Sequence, residues 1–158
     1  MKGLRFESRV ACPFSAATEF ALEYFEQRVP GVLRVPLRLG PLKIQLKRGV
    51  NTGVEIYLDR SDPARRHEAL EISMRPLGGL PFPEFRSAIT VRPFMPPGTL
   101  IALDLSYQPP LGVVGRLLDA VVGRLVVAAI GRALLDDLSA YLVARAREFA
   151  SELETFVN

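Results

Sequence analysis

The sequence predicts an α+β domain in which one face of an antiparallel sheet is covered by helices. The first observation is a chain of short apolar–polar alternations from Val32 to Tyr107, separated by turns of a few residues. Strands joined so tightly pair antiparallel, since a parallel neighbour needs a crossover of about a dozen residues. The second is the segment Leu111 to Phe156, long, apolar and without proline, which reads as a closing helix. The third is the split between faces: Arg, Lys, Glu and Asp on one side of each strand, Leu, Ile and Val on the other. Such a sheet is wet on one side and covered on the other. At 158 residues the chain fits a single domain, residues 1–158.

Taken in order, Leu4, Phe6, Ser8 and Val10 alternate with Arg5, Glu7 and Arg9 and predict a first strand ended by Pro13. Ser15 is suited to cap a helix over Ala16–Glu26, whose Ala17, Phe20, Ala21, Tyr24 and Phe25 share one face. Further strands are predicted over Leu33–Leu39, Leu42–Leu46, Val54–Leu58, Leu70–Met74, Ile89–Val91 and Leu100–Tyr107. Met95-Pro-Pro-Gly98 reads as a tight turn before the last of them. Six or seven strands are therefore expected. In the closing helix, Leu134, Leu138, Leu142, Arg145, Phe149 and Phe156 fall on one stripe. Leu118, Val121, Val122 and Leu125 fall on another, rotated by roughly 120°. The phase changes between Gly123 and Gly131, two residues that permit a kink or break.

Composition excludes several functions. A net charge of +3, with Lys and Arg dispersed, gives no basic stripe for nucleic acid. Cys12 and His67 are the only residues of their kinds, so neither a disulfide nor a zinc cluster is expected. No metal and no cofactor is expected. Arg116, Asp119, Arg124 and Arg132 interrupt the apolar helix, which argues against a transmembrane segment. The first residues carry no apolar signal region, and a cytoplasmic protein is expected. Peripheral membrane contact and homodimerisation stay open.

The junction Tyr107-Gln-Pro-Pro-Leu-Gly-Val-Val-Gly-Arg-Leu-Leu-Asp119 resembles the SRPBCC superfamily, as does Pro13-Phe-Ser-Ala-Ala-Thr-Glu-Phe20 after the opening strand. That group includes START, Bet v 1-like and polyketide cyclase/dehydrase proteins of the helix-grip fold. By order of elements the resemblance covers nearly the whole chain. The sequence departs from it in lacking tryptophan and in having one N-terminal helix rather than two. The resemblance implies a curved sheet gripping the long helix, with an apolar cavity between them. It does not fix an activity, because members bind lipids, sterols, quinones and polyketides and only some are enzymes.

On that resemblance the inward residues would line the cavity. They are Phe6 and Val10 on the first strand, and Ile44, Ile56, Leu58, Ile72 and Met74 in the middle of the meander. Ile89, Val91, Leu103, Leu105 and Tyr107 follow on the last strands, and Leu138, Leu142, Arg145 and Phe149 on the helix. Leu77, Leu80, Phe82 and Phe85, in a loop with Gly78-Gly79 and two prolines, read either as a gate or as a cover for a sheet end. Leu117 and Leu118 read either as a lid or docking face or as ordinary packing. Inward polar groups are few: Ser8, Ser87, Tyr107 and Arg145. Arg145 would read a carboxylate or phosphate if it faces the cavity, and otherwise pairs with an acidic neighbour. No residue is assigned a catalytic role. The expected function is binding of a hydrophobic small molecule or lipid. The alternatives are a cyclase/dehydrase-like enzyme oriented by Tyr107 or Arg145, and an interaction or peripheral membrane module using residues 111–129.

Overall fold

Along the first strand, exposed residues alternate with sheltered ones, the period of two that an extended chain imposes. The computed structural model describes residues 2–28, 31–34, 53–58, 69–76, 85–95, 98–107 and 123–157. Their elements are β1 (Lys2–Val10), α1 (Phe14–Arg28), β2 (Gly31–Arg34), β3 (Gly53–Leu58), β4 (Leu70–Pro76), β5 (Phe85–Phe94), β6 (Gly98–Tyr107) and α2 (Arg124–Val157). The strands form one six-stranded sheet in the order β1-β6-β5-β4-β3-β2, antiparallel throughout. This is the α+β, helix-grip arrangement, with six strands among the described residues. The strand expected over Leu42–Leu46 lies outside the described residues.

Register lines up the inner face in rows. Phe6, Leu103, Ile89 and Leu70 lie abreast across β1, β6, β5 and β4. The next row is Leu4, Leu105, Ser87, Ile72 and Leu58, and beyond it come Tyr107, Phe85, Met74 and Ile56. A one-residue slip would turn every one of these to solvent, so the pairing is strongly specified. Phe85 thus stands in β5, fully buried between Met74 and Tyr107, and not in a gate loop. Its apolar ring finds a place on the inner face, which extends the strand four residues earlier than the alternation Ile89–Val91 predicts. Leu77, Leu80, Phe82, Leu117 and Leu118 lie outside the described residues, as does Ile44.

The two ends of the β1–α1 connection are fastened. The Thr99 hydroxyl donates to the Cys12 carbonyl at 2.6 Å, which ties the chain leaving β1 to the start of β6. The Pro13 carbonyl accepts from the amides of Ala16 and Ala17, so the helix begins at Phe14. Ser15 is inside the first turn, not at its cap; the carbonyl that opens the helix belongs to proline, whose missing N–H costs nothing there. The expected Met95–Gly98 turn closes with the Gly98 amide on the Met95 carbonyl at 3.1 Å. A Cβ at position 98 would meet the Phe94 carbonyl oxygen at 2.8 Å, so glycine is required there.

Helix α2 lies chiefly over β1 and β6, and α1 lies over β5 against α2. It runs without a break through Gly131. A Cβ there would stand 2.5 Å from the Phe6 ring and 3.1 Å from Leu105. The glycine lets the helix backbone approach the sheet, and Leu134, Leu138 and Leu142 are completely buried as a result. Burial then fades along the same stripe: Phe149 is 45% exposed and Phe156 88%. The cause is length. At 1.5 Å per residue a 34-residue helix spans about 51 Å, whereas the ten residues of β6 span about 33 Å. Residues 147–157, which carry the end of the stripe that begins at Leu134, are exposed, so Phe149 does not face the sheet interior as expected.

Gly131→Leu should lower the unfolding free energy by about 1–3 kcal/mol in urea titration, because the overpacked helix must lift from Phe6 and Leu105.

Candidate functional site

The inner wall of β3, β4 and β5 presents Ile56, Leu70, Ile72, Met74, Phe85 and Ile89, all buried. Next to it β6 and β1 contribute Leu103, Leu105 and Tyr107, with Val10 buried and Phe6 half-buried. Val91 is half-buried near the hairpin, and Leu58 pairs with Ile72 at the far side. Leu138 and Leu142 complete the set from α2. These sequence-predicted residues lie on one side of the sheet, the side on which the helices pack.

Two members do not join them. Arg145 sits in the joint between the helices: its Nε donates to both Glu23 carboxylate oxygens at 3.3 Å and its Nη1 to Glu148 at 3.3 Å. The guanidinium also lies over the Phe20 ring, 5.4 Å from its centroid. The Glu23 hydrogen bonds and charge, with Glu148 adding to them, raise its pKa above the ordinary arginine value. Phe149 sets its ring edge against Phe20, with centroids 6.2 Å apart. Both are off the sheet for one reason: α1 packs beside α2, so the later turns of α2 meet α1 instead of strands. That partnership could not be read from Arg145 alone, since Glu23 is 122 positions away.

Sequence reasoning missed the polar fasteners of this joint. Tyr24, itself buried, donates from its hydroxyl to Asp137 at 2.6 Å and stacks edge-on with Tyr141. Ser139 donates to Ser8 at 3.0 Å, a direct polar link from α2 to β1. A serine at an inward position of β1 was the one available signal. Ser87 and Thr90 keep buried hydroxyl oxygens without a hydrogen-bond partner. Among the described residues no cluster of three or more His, Cys, Asp or Glu is placed to hold a metal ion. No helix among them is long and apolar enough to cross a membrane.

No family model matches the sequence, and no curated protein does. Among solved structures the chain is similar to a protein of Thermus thermophilus, at 16% identity and a TM-score of 0.49, over 92% of this chain and 99% of that one. It is similar to a START superfamily protein from Mycobacterium smegmatis, at 18% identity and a TM-score of 0.42, over 93% and 98%. A third is the Zhui aromatase/cyclase from a Streptomyces species, at 16% identity and a TM-score of 0.45, over 92% and 93%. All three likenesses lie under 20% identity and below a TM-score of 0.5.

Arg145→Met should lower the thermal midpoint slightly, and by less in high salt, because its partly exposed pair with Glu23 is screened. Burial pushes the Cys12 thiol up, so the unfolded chain gives up that proton more readily than the native one. Iodoacetamide at pH 8 should therefore label Cys12 slowly, in proportion to the opened population, and stability should fall as pH rises past the ordinary thiol range.

Proposed function

We propose that the protein binds a hydrophobic small molecule or lipid between the inner face of the sheet and α2. The observation that carries this reading is an apolar inner face that runs on beyond the strands over which the described helices chiefly lie. Ile56, Ile72 and Met74 on β3 and β4 continue the inner face, while α2 lies chiefly over β1 and β6 and α1 over β5. A ligand laid along that wall would gain from burying hydrocarbon with little need for polar contacts. Roughly 300 Å² at about 25 cal/mol per Å² gives about 7–8 kcal/mol, which corresponds to micromolar affinity. The polar groups described on the inner face, Ser8, Ser87, Thr99 and Tyr107, are hydroxyls. Hydroxyls orient a ligand but do not exchange protons near neutral pH, which favours holding the molecule over transforming it.

Native mass spectrometry of protein purified from its host should show an additional small mass that is lost on denaturation. After delipidation, the neutral dye N-phenyl-1-naphthylamine should bind saturably, one per chain, with micromolar affinity. A bare chain mass together with no saturable dye signal would overturn the proposal.

A further inference from the structure

One polar atom on the inner wall has nothing to bond. Ser87 is 5% exposed, and its Oγ lacks any hydrogen-bond partner. Register surrounds it with hydrocarbon: Leu105 abreast on β6, Ile72 abreast on β4, and Phe85 and Ile89 two positions away along β5. None of these side chains can donate or accept. A buried hydroxyl without a partner is unfavourable, and alanine or valine would serve the strand at no such cost. Other inward hydroxyls are engaged, Ser8 with Ser139 and Thr99 with the Cys12 carbonyl. Thr90, whose hydroxyl also lacks a partner, alternates with Ser87 and Ile89 and so belongs to the outer side of the strand.

We infer that Ser87 is the polar contact of the bound molecule, and that this molecule is a neutral amphiphile: an apolar body bearing a hydroxyl or carbonyl, not a carboxylate or phosphate. The inference rests on the binding function proposed above and names its ligand class. A serine hydroxyl both donates and accepts, so it satisfies an alcohol, a ketone or an ester. An anion would need a cation beside it. Arg145 is turned to Glu23 in the helix joint, and no described side chain of the inner strand face carries charge. Moving an ionised head group from water to a single hydroxyl in a hydrocarbon wall is far less favourable than moving a neutral one.

The test uses delipidated full-length protein, with N-phenyl-1-naphthylamine displaced by 1-dodecanol or by dodecanoate at pH 8. Wild type should release the dye at a roughly tenfold lower concentration of dodecanol than of dodecanoate. Ser87→Ala should weaken dodecanol by about five- to tenfold, each displacement being referred to the dye affinity measured for that same protein. The ligand-free variant should unfold at the same or a higher temperature than wild type, because it has lost an unpaired polar group. Equal dodecanol affinity in the two proteins overturns the inference while leaving the binding function intact. Dodecanoate that competes as well as dodecanol in wild type overturns the neutral class. A ligand-free variant that unfolds earlier shows the hydroxyl to be bonded in the empty protein and overturns the role of Ser87. The absence of saturable dye binding in wild type removes the binding function itself.

Discussion

The separation between α2 and the sheet is set at one point, where a glycine hydrogen faces the Phe6 ring and Leu105. Close packing makes that distance consequential, because dispersion contacts fade within a fraction of an ångström. With the helix seated, Leu134, Leu138 and Leu142 reach the wall and Ser139 reaches Ser8. The position of α1 follows from that of α2, through the Tyr24–Asp137 bond and the Glu23–Arg145 pair. Among the described residues the two helices thereby lie over β1, β6 and β5.

Charge is kept away from this wall. On β1 and β6, Arg5 is held between Glu7 and Asp104 on the opposite face of the sheet. Arg9 lies over the Phe94 ring on that face too. Arg145 takes up its charge in the helix joint, where half-exposed pairs are screened and contribute direction more than strength. The result is a molecule whose polar bonds fix the positions of its helices, while the described residues of its wall are apolar apart from hydroxyls.

Much of the architecture was legible because each inner strand position repeats at a period of two. Leu4 to Val10, Leu70 to Met74 and Leu100 to Tyr107 needed nothing more. Beginnings and ends were harder. Ser87 interrupts the apolar alternation, and the prolines at 81 and 83 suggest a loop, so Phe85 read as part of it; only its partners Met74 and Tyr107 show the strand has begun. The helical stripe from Leu134 to Phe156 gives a face but no distance, and nothing in it tells where the sheet stops. Gly131 carried the opposite kind of ambiguity. A glycine in a helix is compatible with a bend or with a close neighbour, and the neighbour lies on strands far away in the chain. Arg145 and Ser139 were opaque for the same reason, since each is defined by a partner more than a hundred positions distant.

The pairing of β1 with β6 has a consequence for how the protein is made. Arg5 and Asp104, neighbours across that ladder, are 99 positions apart, whereas β4, β5 and β6 each meet the strand before them in the chain. During synthesis β1 emerges before its partner and waits for it through most of the sheet's translation, at roughly 5–20 residues per second. Its apolar side and unpaired backbone edge stay available to other chains until β6 is complete. Closing a loop of that length is slow on entropic grounds, and the platform for α2 exists only once it closes. Early folding is therefore the period in which this chain is most open to mispairing.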